Sequence, residues 1–148
     1  IRDTSGKLLE ESITAKPCMI KPNMDEIRLL TGKDLKDQDD LVKAAIRLRD
    51  TGIQVVVISC GSEGSLIASE EGIYRAIVPK IDAVNTVGCG DSMIAGFAVG
   101  LSKGMSMAET IIFASAVSAA NAMRMETGFF LKEDMEELLP KIKVEKLI

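Results

Sequence analysis

Four consecutive β-branched residues near the middle of the chain constrain the fold more than any other feature. Residues 55–58 read Val-Val-Val-Ile without a polar interruption. A continuous run of this kind is typical of a strand that is buried on both faces by covering helices. Because the apolar spacing before it, over residues 38–50, is helical, the sequence predicts a layered α/β sheet.

The rest of the pattern alternates further strands and helices around this strand. Strands are predicted at residues 18–20, 55–58, 65–69 and 72–77, and helices at 6–13, 23–30, 38–50, 91–101, 106–124 and 132–139. Ser106 and Glu109 predict a capping box at the start of the fifth helix. The strands at 65–69 and 72–77 predict a hairpin, and the last helix is expected to close the chain.

The composition excludes several classes of function. The formal net charge is −4 and the chain has no basic tract, which argues against a nucleic-acid partner. No apolar run approaches the roughly 20 residues that span a bilayer, so no membrane partner is expected. Three widely spaced cysteines fit neither a zinc site nor a disulfide framework and favour a reducing, cytoplasmic location. Because the chain contains no histidine, a catalytic acid or base must be Asp, Glu, Lys, Cys or Tyr74.

Residues 85–91 combine two glycines with one carboxylate at the predicted start of a helix. Gly88 and Gly90 permit backbone conformations in which successive N–H groups point at one spot, where the positive end of the helix dipole also acts. The segment predicts an anion site suited to phosphate, with Asp91 placed to accept the proton of an attacking hydroxyl. The alternative is a simple turn in which Asp91 is the N-cap. Cys89 is either a redox-sensitive thiol at a helix start or a small residue that fits there.

Two polar residues at the start of another predicted helix are candidates for a magnesium site. Asn23 and Glu26 are three residues apart, so their side chains share one face of the helix. An amide oxygen and a carboxylate there suit the water shell of Mg²⁺. The alternative is a capping box built by the same two residues. Lys21, just before them, either lies near phosphate or is a solvated strand end.

The segment after the central strand, residues 59–64, is a candidate ligand loop. In open α/β sheets, ligands bind beyond the carboxyl ends of the strands. Gly61 would bring the backbone close to a nucleotide there. The alternative is an ordinary turn.

Taken in order, these motifs resemble those of the PfkB carbohydrate kinases, and within them the phosphofructokinase group. The similar segments are Asp3-Thr4-Ser5-Gly6, Ala15-Lys16-Pro17, Lys21-Pro22-Asn23-x-x-Glu26, Ser59-x-Gly61-x-x-Gly64 and Thr86-Val87-Gly88-x-Gly90-Asp91-Ser92-Met93. The resemblance covers the whole chain. It implies a ribokinase-like three-layer α/β/α sandwich, of which residues 1–148 are the C-terminal, nucleotide-binding part. Since the chain begins at Ile1, near the middle of the family pattern, we expect it to be a fragment.

The resemblance also implies roles for individual residues. Asp91 corresponds to the catalytic base, and Gly88, Cys89 and Gly90 correspond to the anion hole for the transferring phosphoryl group. Asn23 and Glu26 correspond to the motif that organises Mg²⁺ and the triphosphate. The implied nucleotide contacts are Lys21, Asn23, Ser59, Gly61, Ser62, Glu63, Gly64, Gly90, Ala114, Ser118 and Ala119. Cys89 and Asn85 depart from the residues usual in the family, and neither is expected to abolish the loop.

The implied activity is transfer of phosphate from ATP to a hydroxyl of a hexose phosphate, with Mg²⁺ as cofactor. Fructose 1-phosphate, giving fructose 1,6-bisphosphate, is the expected substrate, and tagatose 6-phosphate and fructose 6-phosphate are alternatives. A non-catalytic nucleotide-binding or assembly fragment is an alternative from another class. A homo-oligomer is also expected.

Overall fold

A computed structural model describes residues 11–35 and 37–148. These residues belong to two compact units. The first contains residues 11–35, 37–61, 65–75 and 146–148, and the second contains residues 62–64 and 76–145. Residues 11–14 are helical. The predictions for Ile1, for Asp3–Gly6 and for the start of the first helix lie outside the described residues.

The sheet of the first unit is built around the β-branched run. Strand β1 (Met19–Ile20) pairs in parallel with β2 (Val55–Ser59), and β2 pairs antiparallel with β3 (Ser65–Ser69). Strand β4 (Gly72–Ile77) follows β3, and its first four residues belong to this unit. Strand β5 (Lys143–Lys146) belongs to the second unit except for Lys146. Residues 55–58 are all buried, which confirms the strand and its burial.

Two helices of the first unit contribute to its core. Helix α1 (Met24–Thr31) ends at Gly32, which adopts a left-handed conformation with φ +62°, and α2 (Gln38–Asp50) has the predicted bounds. Their apolar faces are buried together with side chains of the sheet. The core includes Ile20, Ile27, Ala45, Ile53, Val56, Ile58, Ala68 and Ile73.

The second unit contains three helices, α3 (Cys89–Ser102), α4 (Met107–Ala122) and α5 (Lys132–Leu138). Helix α3 approaches α4 closely because its contact positions are glycines: a Cβ atom at Gly96 would lie 2.6 Å from the Cα of Ala114. A separate apolar cluster joins α4 to α5. It includes Ala116, Ala119, Ala120, Met135, Leu138 and Ile142.

Two predicted helix boundaries are each wrong by two residues, and the prediction for the end of the chain is wrong. Helix α3 begins at Cys89, before Asp91, and α4 ends at Ala122 instead of Arg124. The last helix does not close the chain, because a short 3₁₀ helix (Leu139–Lys141) and β5 follow it. Strand β5 was missed because three of its four residues are charged, which hides its alternation. Within the described part of the chain, no helix is both long and apolar enough to cross a membrane.

Candidate functional site

The N-terminus of α3 in the second unit is built on a glycine instead of a capping side chain. Gly88 is the N-cap with φ +84°, and no side chain caps the helix there. A Cβ atom at this position would lie 2.8 Å from Cγ2 of Thr127 and 3.0 Å from the backbone nitrogen of Gly128, so glycine is required sterically as well as by its dihedral angle. The alternative in which Asp91 is the N-cap is therefore wrong. Asp91 is the third residue of the helix.

This helix start leaves backbone donors free. The N–H of Cys89 donates to the carbonyl of Thr86 (3.2 Å), and the first helical bond runs from Ser92 N–H to the carbonyl of Gly88 (2.9 Å). The N–H groups of Gly90 and Asp91, which lie between, have no acceptor among the described residues. Unpaired N–H groups and the positive end of the helix dipole attract an anion.

Asp91 is exposed in the first turn of α3. Among residues 11–35 and 37–148, its carboxylate forms no hydrogen bond and no ion pair. A carboxylate that is not engaged by the protein is free to accept a proton from a bound hydroxyl group.

The glycine loop (residues 85–91) is held by α4. The hydroxyl of Ser118 donates to the carbonyl of Cys89 (2.9 Å), and Nδ2 of Asn121 donates to the carbonyl of Val87 (3.2 Å). The carbonyl of Ala122 accepts from the N–H groups of Val84 (2.7 Å) and Asn85 (3.1 Å). The end of α4 therefore fixes the shape of the glycine loop at several points.

Asn85, the first residue of the glycine loop, is held by hydrogen bonds of its side chain. Its Nδ2 donates to the carbonyl of Met125 (2.8 Å), and its Oδ1 accepts from the N–H of Val87 (3.0 Å). The sequence signals Asn85 only through the preference of Asn for turns, and it gives no signal for Asn121. Both residues are part of the site's support, and sequence reasoning assigned neither of them a role.

The three α4 residues implied in nucleotide binding make protein contacts. Ala114 is buried against Gly96 of α3, and Ala119 is buried in the cluster with α5. Ser118 is half-buried and holds the glycine loop through its hydroxyl. Their contact with an adenine ring stays a prediction.

A second set of site residues lies in the first unit, at the start of α1. Asn23 Oδ1 accepts from the N–H groups of Asp25 (3.0 Å) and Glu26 (2.9 Å), and Glu26 Oε2 accepts from the N–H of Asn23 (2.8 Å). The capping box is thus present. Ser59 donates its N–H to the carbonyl of Pro22 (3.0 Å) and pairs with Asn23 in a parallel bridge.

The structure brings Asn23, Glu26 and Ser59 together at the end of β2, and Lys21 precedes them in the chain, half-buried. Glu26 Oε1 accepts no hydrogen bond within the described residues. The described residues also contain no group of three His, Cys, Asp or Glu side chains that could hold a metal. Oxygen atoms such as Oε1 suit the water shell of Mg²⁺, which needs no dedicated cage of protein ligands.

The loop after β2 forms a 3₁₀ turn, Gly61–Glu63, in which all three residues are exposed. Gly61 has φ +58°, and no atom of the described residues lies within 4 Å of the point where a Cβ atom would stand. Gly64, in the second unit, has φ +90° and is buried against the backbone carbonyl of Ala76. Close backbone packing accounts for Gly64 without a ligand, whereas its contact with a nucleotide stays a prediction.

Comparison with known proteins identifies relatives of this chain. Residues 1–134 match the model of the "pfkB family carbohydrate kinase". The chain is 36% identical over 145 residues to 1-phosphofructokinase of Haemophilus influenzae, covering 97% of this chain and 46% of that protein. It is also 36% identical over 147 residues to tagatose-6-phosphate kinase of Staphylococcus epidermidis, covering 97% and 47%. The chain thus spans about half the length of the curated relatives it matches.

A solved structure shares the fold. Phosphofructokinase-2 from Escherichia coli superposes with a TM-score of 0.86 at 27% identity, covering 93% of this chain and 45% of that one. The likeness confirms the ribokinase-like α/β fold that the sequence motifs imply, over about half of the related chain.

Proposed function

Because the chain belongs to the pfkB family of carbohydrate kinases, we propose that it provides the general base and nucleotide-binding residues for phosphoryl transfer from ATP to a hexose phosphate. Fructose 1-phosphate is the proposed substrate and fructose 1,6-bisphosphate the product. The observation that carries the proposal is the open start of α3, with unpaired N–H groups at Gly90 and Asp91 and an unengaged carboxylate on Asp91. The likeness to 1-phosphofructokinase supports the choice of sugar.

In this mechanism, the oxygen of the sugar hydroxyl attacks the γ-phosphorus of ATP, and the carboxylate of Asp91 accepts the proton of that hydroxyl. The new P–O bond forms while the bond to the β-phosphate oxygen breaks, and ADP leaves. Negative charge spread over the transferring group is stabilised by the N–H groups of Gly90 and Asp91 and by the dipole of α3. The glycine loop therefore acts by positioning and electrostatics.

The residues at and just after the ends of β1 and β2 are the proposed nucleotide-binding residues. Lys21 supplies positive charge for the phosphates, and Ser59, Gly61, Ser62 and Glu63 supply exposed or half-exposed loop surface for the nucleotide. Glu26, through its free Oε1, and Asn23 would hold waters of a bound Mg²⁺. When bound, Mg²⁺ neutralises charge on the phosphate oxygens.

The proposal also includes a second candidate substrate and self-association. The equal identity to a tagatose-6-phosphate kinase favours tagatose 6-phosphate as the second candidate substrate. Self-association of the intact protein is also part of the proposal.

The test is a coupled assay of ADP release by the intact protein with fructose 1-phosphate, tagatose 6-phosphate and fructose 6-phosphate. We expect turnover with the first, and Asp91→Asn to lower kcat by about 10²–10⁴-fold while much of the ATP affinity is kept, since removal of a general base has this effect. Near-normal turnover of Asp91→Asn would refute the assignment of the base. If the wild-type protein bound ATP but phosphorylated none of the sugars, a non-catalytic nucleotide-binding role would replace the kinase.

A further inference from the structure

Asn121 is a polar residue inside α4 that contacts the glycine loop on both sides of Gly88. Its side chain is fully buried. Its Nδ2 lies 3.2 Å from the carbonyl oxygen of Val87 and 3.3 Å from Sγ of Cys89. A single amide group therefore contacts the residue before the N-cap of α3 and the residue after it.

The orientation of this amide follows from its neighbours. The carbonyl of Val87 can only accept a hydrogen bond, so the NH₂ group of Asn121 must face it. The other amide atom, Oδ1, is buried and has no donor in the part of the chain that the structure describes. An unpaired buried carbonyl destabilises a fold, and an apolar side chain of the same size would avoid that loss. Packing alone therefore does not explain an amide at this position.

We propose that Asn121 is a positioning residue of the phosphate-binding loop. By holding the Val87 carbonyl and the Cys89 sulfur, it fixes the backbone around Gly88 and so directs the N–H groups of Gly90 and Asp91 toward the anion. Asn121 acts through the loop and does not touch the substrate. The expected effect on rate rests on the proposed kinase function, whereas the expected effect on loop geometry and anion binding does not.

The test compares Asn121→Leu with Thr110→Val in the intact protein. Leucine has nearly the shape of asparagine but cannot donate to Val87 or Cys89. Thr110 is the matched control because it is also fully buried in α4, and its Oγ1 likewise has no partner within the described residues. It contacts Gly100 of α3, beyond the glycine loop, so Thr110→Val removes a buried hydroxyl and leaves the loop contacts unchanged.

The first measurement is independent of turnover. Backbone amide resonances of Gly88, Gly90 and Asp91 are followed by NMR during titration with inorganic phosphate. We expect Asn121→Leu to shift these resonances before any phosphate is added and to weaken phosphate binding about tenfold, the effect of one lost hydrogen bond of typical strength. Thr110→Val should match the wild-type protein in both respects.

The second measurement is steady-state kinetics below the melting temperatures of all variants. We expect Asn121→Leu to lower kcat by about 10–100-fold, because a displaced loop no longer aligns with the transferring group, with little change in the KM for the hexose phosphate. A merely structural role would lower the melting temperature without this split between kcat and KM.

The proposal is overturned if Asn121→Leu and Thr110→Val have the same loop resonances and the same phosphate affinity. If the loop resonances and the phosphate affinity of the two variants differ as expected while the wild-type protein phosphorylates no sugar, Asn121 keeps its positioning role and the kinase assignment fails. If Asn121→Leu does not fold, Asn121→Ser is tested by the same criteria, since serine is smaller and cannot overpack the site.

Discussion

The N-termini of α1 and α3 were both predicted as ligand sites, and the structure completes them in opposite ways. At α1, the side chains of Asn23 and Glu26 satisfy three backbone N–H groups through a capping box. At α3, the N-cap is Gly88 and the N–H groups of Gly90 and Asp91 stay unpaired within the described chain. The closed terminus is stabilised by its own side chains, whereas the open terminus keeps N–H groups that water or an anion can pair.

A third helix start supports this distinction. Helix α4 begins with Ser106 and Glu109, which form the same reciprocal box as Asn23 and Glu26. It is a closed terminus for which no ligand role is proposed, so it serves as the reference for α1. The three starts show that a carboxylate in the first turn does not by itself indicate a ligand site. The decisive feature is whether the protein has already used the carboxylate and the N–H groups.

Among changes to the shape of the two helix starts, the largest expected effect comes from adding a side chain at Gly88. Gly88→Ala introduces a Cβ atom 2.8 Å from Thr127 and 3.0 Å from the Gly128 nitrogen, so the loop must shift. Since misplacement of a reacting group by about 1 Å can cost 10²-fold in rate, we expect kcat/KM to fall by about that factor. The assay is ADP release by the intact protein.

The matched control for that change is Gly104→Ala, in the loop between α3 and α4. Gly104 also has a positive φ (+66°), but no atom of the described residues lies within 4 Å of its Cβ position. Both variants bear the strain of a left-handed alanine, about 1–2 kcal/mol, and only Gly88→Ala adds a steric clash. Equal losses of activity in the two variants would show that dihedral strain, and not the shape of the glycine loop, determines the result.

A smaller expected effect, on the Mg²⁺ requirement, distinguishes the capped start of α1 from that of α4. Glu26→Gln and Glu109→Gln both weaken a capping box, so both should lower the melting temperature slightly. If Glu26 also holds waters of Mg²⁺, Glu26→Gln alone should raise the Mg²⁺ concentration that gives half-maximal rate, by about tenfold for an indirect contact. An unchanged Mg²⁺ requirement in both variants would reduce Glu26 to a capping role.

The sequence predicted most of the fold because its signals are local. The β-branched run at residues 55–58, the hairpin strands and the bounds of α2 all follow from periodicity and turn residues, and all are confirmed. Strand β5 was missed because charged residues occupy most of it. The start of α3 was misplaced because a glycine N-cap leaves no side-chain signal.

The sequence predicts the glycine loop of the candidate site, but it does not predict the α4 side chains that hold this loop. Gly88, Gly90 and Asp91 are adjacent in the sequence, so their chemistry can be inferred from spacing. Asn121 reaches Val87 from 34 residues away, and no periodic pattern reports such a contact. Ser118 illustrates the same limit: its hydroxyl donates to the carbonyl of Cys89 from 29 residues away, and the sequence gives no signal for that bond. Its contact with a nucleotide stays a prediction.

The smallest expected effect concerns pH and the chemistry of the capping residue. Hydrogen bonds from the Ser106 hydroxyl (2.6 Å) and then from the Ser106 N–H (2.9 Å) lower the pKa of Glu109 below its usual 4.5. A lowered folded-state pKa means that the folded state favours the carboxylate, so this stabilisation is present above about pH 4.5 and is lost as the pH falls through the lowered value.

We therefore expect the urea midpoint of the wild-type protein to fall slightly more between pH 6 and pH 3 than that of Glu109→Gln. Ser106→Ala should lose part of this difference, because the alanine backbone still donates its N–H to Glu109 while the hydroxyl is gone. Asn23 accepts from the helix but donates nothing to Glu26 through its side chain within the described residues, so the hydroxyl is what distinguishes the two boxes. Identical pH profiles for wild type and Glu109→Gln would show that the Ser106 bonds do not persist in solution, and α4 would then no longer be a valid reference for a closed helix start.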